Sequence, residues 1–90
     1  MEEKNKKILV VDDEQDLCEI LSFNLETEGY QVSTANSAEE ALEMDVASYD
    51  LLLLDVMMGG MSGFQMAKLL KENPTTAHIP IIFLTARDTE

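Results

Sequence analysis

Residues 51–54 are four consecutive leucines, and Asp55 follows them directly. An apolar run this short has the length of a strand, and it lacks the alternation that would give one side to water. As a strand it must be covered on both faces, the situation of a parallel strand flanked by helices. A carboxylate is expensive to remove from water, so Asp55 has to stand at the open end of that strand. Two further segments have the same form. Residues 8–11, ILVV, stop at the adjacent carboxylates Asp12 and Asp13, and PIIFLTA, residues 80–86, carries Thr85 near its end. A proline is tolerated at the first position of such a strand.

Between these runs the apolar period changes. Leu17, Ile20, Leu21 and Leu25 recur three and four apart, which predicts an amphipathic helix over residues 15–28 with Gly29 placed to end it. YQVSTA reads as a strand centred on Val32. Ser37 stands three residues before Glu40, a capping box that predicts a short helix over Ala38, Ala41 and Leu42. MMGGMSG has three glycines in seven residues and predicts a loop, with Gly63 letting the chain turn into a helix of Phe64, Ala67 and Leu70 that Asn73 and Pro74 close. Four strands alternating with three helices, joined by right-handed crossovers, make an α/β protein with a parallel sheet. Three helices for two sheet faces leave one face thinly covered. The expectation is therefore an N-terminal portion of a longer domain, core from about residue 7, whose open face is hidden by dimerisation or domain swapping.

Ninety residues make one small domain, and 46 % apolar content suits a folded core. Eighteen acidic residues against six basic ones give a net charge of −12, a surface that repels phosphate backbones and argues against direct nucleic-acid binding. No apolar run approaches the roughly 20 residues of a membrane span, and the start MEEKNKKILVV has no signal-peptide form, so no membrane role and a cytoplasmic location are expected. Cys18, the single cysteine, sits in the first helical pattern as a buried thiol.

Open parallel sheets bind ligands beyond the carboxyl ends of their strands. That rim collects Asp12 and Asp13 from the first strand, Asp55 from the third and Thr85 from the fourth. With strand order 2-1-3-4, the first and third strands are neighbours and their carboxylates converge, which is costly without a cation. Oxygen ligands of this kind suit Mg²⁺. Several chemistries remain open. Asp55 is a nucleophile for a phosphoryl group, with Mg²⁺ bridging Asp13 and Asp55 and the Thr85 hydroxyl donating to the phosphoryl oxygens. A P-loop hydrolase would need G-x-x-x-x-G-K-[ST] where VVDDEQDL stands, and a dinucleotide site would need G-x-G-x-x-G. Acid groups that merely cap the first helix account for Asp12 or Asp13 but not for Asp55 at the same edge. A phosphatase acting on outside substrates is a further class. His78 is expected in a solvent-facing loop, and Met57 contributes through its backbone carbonyl.

VVDDE (residues 10–14), LLLLDVMMGGMSG (51–63) and PIIFLTA (80–86) together resemble the receiver domain of bacterial two-component response regulators. The resemblance runs from about Lys7 onward. It implies a flavodoxin-like doubly wound parallel sheet lacking the usual fifth strand and last two helices. It implies Asp55 as phosphoacceptor, Asp13 as direct Mg²⁺ ligand, Asp12 acting largely through water, the Met57 carbonyl as the remaining protein ligand and Thr85 as the switch hydroxyl. The implied donor is a phosphohistidine on a sensor histidine kinase or phosphotransfer protein. Two departures stand out. Gly59 occupies the place where the family usually has proline, and the lysine after the fifth strand has no counterpart among these residues. A non-catalytic interaction module with the same fold is the alternative these departures raise.

Overall fold

The computed structural model describes residues 6–84. The elements follow in the order β1 (Lys7–Val11), α1 (Gln15–Thr27), β2 (Gln31–Ala35), α2 (Ala38–Leu42), a 3₁₀ turn (Val46–Ser48), β3 (Leu51–Asp55), α3 (Gly63–Glu72) and β4 (Ile81–Leu84). The described strands form one sheet in the order β2-β1-β3-β4, every pair parallel. This is the doubly wound α/β arrangement expected from the alternation of periods.

Register explains which residues meet. Leu9 pairs with Leu52 and Val10 with Leu53, so alternate residues of the two central strands share a face. Leu9, Val11, Leu52 and Leu54 pack with Ala38, Ala41, Met66 and Leu70, beneath α2 and α3. Ile8, Val10 and Leu53 pack with Cys18 of α1, and Leu21 and Leu25 join them. Both faces of LLLL are therefore covered, as the run requires. The cover is unequal. Ile82, level with Leu53 in the register, remains 52 % exposed on the α1 side.

Local signals set most boundaries. Gly29 has φ 100°, the left-handed conformation that ends α1, and its N–H donates to Glu26 O at 2.9 Å. The Ser37 hydroxyl accepts from Glu40 N–H as predicted, but the Glu40 carboxylate reaches Asn36 N–H, so only half of the expected capping box forms. A complete box, not anticipated, starts α3: Ser62 accepts from Gln65 N–H and Gln65 accepts from Ser62 N–H. Two apolar stripes need correction. On α1 the half-buried and buried apolar positions are Leu17, Cys18, Leu21 and Leu25, while Ile20 turns outward. On α3 the buried residues are Gly63, Met66 and Leu70, and Phe64 is exposed, resting edge-on against Phe83 at 4.8 Å between ring centres. Ile20 lies two residues from Cys18 and Phe64 two residues from Met66, about 200° around the helix, so burying Cys18 and Met66 turns the larger side chains to the outer face. The 3₁₀ turn before β3 had no expected counterpart.

Candidate acidic metal and phosphoacceptor site

Val11 pairs with Leu54, so β1 and β3 end side by side and deliver Asp12 and Asp55 to the same edge. Asp12 is 2 % exposed and Asp55 8 %, whereas Asp13 faces solvent. One carboxylate oxygen from each of these three residues lies within 4.8 Å of the others. Three anionic groups this close repel one another unless a cation or proton intervenes. The donor set is all oxygen, partly buried and open on the Asp13 side. It fits a hard divalent cation that retains waters and uses few protein carboxylates.

Backbone and side-chain bonds fix Asp12 tightly. Its N–H donates to Ala35 O at 3.1 Å, and its carbonyl accepts from Asn36 Nδ2 and from Cys18 Sγ, each at 3.3 Å. Its Oδ1 accepts from Glu14 N–H at 2.8 Å, so Asp12 also shapes the entry to α1. That bond closes a turn ahead of α1 and ends on the cap residue Glu14, whose own side chain makes no capping bond, so the capping reading weighed from sequence does not account for the cluster. Burial pushes the Cys18 thiol up from its ordinary value, and the neighbouring Asp12 charge adds to that rise. The thiol is a packing and hydrogen-bonding group at neutral pH, as its position in a helical pattern suggested.

The Asp55 side is built on the loop of residues 56–62. Met57 N–H points to Asp55 Oδ1 and Gly59 N–H to Asp13 Oδ2, both at a long 3.4 Å. The Met57 side chain is 69 % exposed, while its backbone N–H faces Asp55. Gly63 is the first residue of α3, where the loop turns into the helix as expected. It does not take a left-handed conformation; instead a Cβ there would overlap the Asp55 carbonyl oxygen, and glycine lets the start of α3 lie against the acceptor strand. The left-handed turn belongs to Gly60, φ 79°. His78 is exposed in the segment before β4, as expected. Thr85 lies outside the described residues.

Residues 8–90 match the family of the response regulator receiver domain. The chain belongs to that family. Its receiver sequence is 45 % identical over 87 residues to the alkaline phosphatase synthesis transcriptional regulatory protein PhoP of Bacillus subtilis, covering 96 % of this chain and 35 % of PhoP. It is 47 % identical over 83 residues to the response regulator PleD of Caulobacter vibrioides, covering 91 % of this chain and 18 % of PleD. The receiver thus spans about a third or less of these curated relatives. Among solved structures it resembles the response regulator TrrA of Thermotoga maritima, determined in complex with Mg²⁺-BeF, with TM-score 0.83 and 42 % identity over 92 % of this chain and 71 % of TrrA. A response regulator receiver protein of Methanoculleus marisnigri aligns with TM-score 0.84 and 40 % identity, over 93 % of this chain and 69 % of its N-terminal domain chain. The receiver fold and its acidic, phosphoacceptor-type cluster are therefore both present in this chain.

Two residues beside the site were not picked out from sequence. Asn36 directly follows β2, and its place at the same sheet edge is the signal that would have drawn attention to it. Glu39 reaches the loop after β3 at Met61, 22 residues away, and no short-range pattern announces that contact.

Proposed function

We propose that this receiver accepts a phosphoryl group on Asp55, using Mg²⁺ held by Asp12, Asp13, Asp55 and the Met57 carbonyl. The observation that carries the proposal is the convergence of the three carboxylates from two neighbouring strands within 4.8 Å. When bound, Mg²⁺ supplies neutralisation of the charge on the transferring phosphoryl oxygens. The protein's own part is positional. β3 presents the Asp55 carboxylate as nucleophile at its open end; a bond forms between its oxygen and phosphorus, and the bond from phosphorus to the donor breaks with the electron pair leaving on the donor. The Asp12 backbone is held by Ala35, Asn36 and Cys18 and its Oδ1 by Glu14 N–H, so its carboxylate has little freedom beside Asp55. Asp13, exposed beside the two buried carboxylates, would be the ligand on the solvent side of a bound cation. Thr85, one residue beyond β4, is assigned the hydroxyl that meets the phosphoryl group.

The phosphoryl donor is proposed to be a phosphohistidine on a sensor histidine kinase or phosphotransfer protein, in the cytoplasm, with the output carried by sequence outside this receiver. A second copy meeting the open α1 side of the sheet is the other proposed partner, read out by the sedimentation behaviour of the chain. No helix among the described residues is long and apolar enough to cross a membrane.

The test is incubation with a small acyl phosphate and Mg²⁺, followed by intact mass and peptide mapping. In a protein carrying the whole receiver domain, one phosphoryl group at Asp55 is expected, absent when Mg²⁺ is chelated and absent in Asp55→Asn; residues 1–90 by themselves are expected to label weakly or not at all. Labelling that persists in Asp55→Asn would refute the assignment.

A further inference from the structure

The loop after Asp55 is held by an alternating set of N–H groups. Met57, Gly59 and Met61 each direct the backbone N–H at a carboxylate: Asp55, Asp13 and Glu39 respectively. The first two distances are 3.4 Å, long for an N–H···O bond, and the third is 3.1 Å. The first two acceptors belong to the acidic cluster itself, and a cation engaging them draws on the same oxygens. Glu39 stands outside the cluster, in the first turn of α2. Its carboxylate also lies against Gly60, where Oε2 would be 3.0 Å from an added Cβ, so it meets the loop at the left-handed turn. Gly59, one residue earlier, leaves the backbone without the restraint of a larger residue.

We propose that Glu39 is a positioning residue for the acidic site, clamping the loop of residues 56–62 from α2 independently of whether the cluster holds a cation. The proposal rests on the metal reading given above for its functional consequence, and on the Met61 contact for its mechanism. The clamp acts through the carboxylate as a hydrogen-bond acceptor. An amide oxygen at the same place preserves it, and a methyl group does not.

The experiment compares the chain with Glu39→Gln and Glu39→Ala, measuring Mg²⁺ affinity by calorimetric titration and the hydrogen exchange of the Met61 amide without metal. Glu39→Ala is expected to weaken Mg²⁺ binding by about threefold to tenfold and to speed Met61 exchange by a similar factor, the scale of one lost hydrogen bond. Glu39→Gln is expected to stay within about twofold of the parent in both. Equal weakening of Mg²⁺ binding by the two variants would assign the effect to charge and overturn the clamp. Unchanged Met61 exchange in Glu39→Ala would overturn it as well. If the parent chain binds no Mg²⁺, the metal reading fails, and Met61 exchange alone then decides whether Glu39 clamps the loop.

Discussion

After β1 the chain needs only residues 12–14 to reach α1, whereas after β3 it uses residues 56–62 to reach α3. The short connection is tied by backbone groups of the sheet and by side chains beneath it, so Asp12 has little freedom. The long one is held by carboxylates and shaped by glycines. The same cluster therefore has a stiff half and an adjustable half. Changes in the stiff half should alter chemistry while leaving the fold intact, and changes in the adjustable half should act mechanically, through where the backbone can go.

The largest expected effect tests the chemical half. Asp13→Asn removes one of three clustered negative charges but keeps an oxygen that can accept from Gly59. Mg²⁺ affinity should fall on the order of tenfold or more, because a carboxylate ligand has become a neutral amide. Like-charge repulsion in the metal-free state is relieved at the same time. Metal-free thermal unfolding should therefore rise on the order of 2–4 °C. A drop in both metal affinity and metal-free melting temperature would show that Asp13 is a structural group and break the contrast between the two halves.

The next effect is mechanical. Gly63→Ala places a Cβ against the Asp55 carbonyl oxygen and close to Val56 Cα, both backbone atoms that no rotamer change can move. Relief requires α3 to shift away from β3, at a cost of about 1–3 kcal/mol typical of overpacking. Denaturant unfolding measures it directly. An alanine variant as stable as the parent would mean that the approach of α3 to the acceptor strand is easily relaxed, and the adjustable half would extend further than the loop.

The difference between the halves also separates what the sequence discloses from what it hides. Strands and the carboxylate rim were legible because LLLL, ILVV and their following aspartates are local patterns with one economical solution, a parallel sheet covered on both sides; the strand order came with the family resemblance, since no local pattern fixes it. Inward positions on the helices were less so: Cys18 is buried as expected, but Ile20 and Phe64, apolar and at helical spacing, turn outward, and Met66 rather than Phe64 is buried on α3. Glycine function was the least legible. Three glycines in one loop announce a turn, but only the folded backbone separates Gly60, which needs a left-handed φ, from Gly63, which needs room for Asp55. Glu39 belongs with them, since its partner is set by how α2 packs and not by spacing.

Gly59 gives the smallest and sharpest comparison, because its neighbour Gly60 should respond with the opposite sign. At Gly59 the backbone is outside the left-handed region and an added Cβ meets no atom within 4 Å. Glycine there has no steric reason in the folded state, so Gly59→Ala acts chiefly by restricting the unfolded chain and should stabilise by about 0.4–1 kcal/mol. Gly60 has φ 79° and the Glu39 carboxylate close by, and Gly60→Ala should destabilise by about 1–2 kcal/mol through the left-handed strain alone. Paired denaturant unfolding curves decide the matter. If Gly59→Ala also destabilises, the freedom of residue 59 is needed to seat the loop against Asp13, and the adjustable half of the site is adjustable only around Gly60.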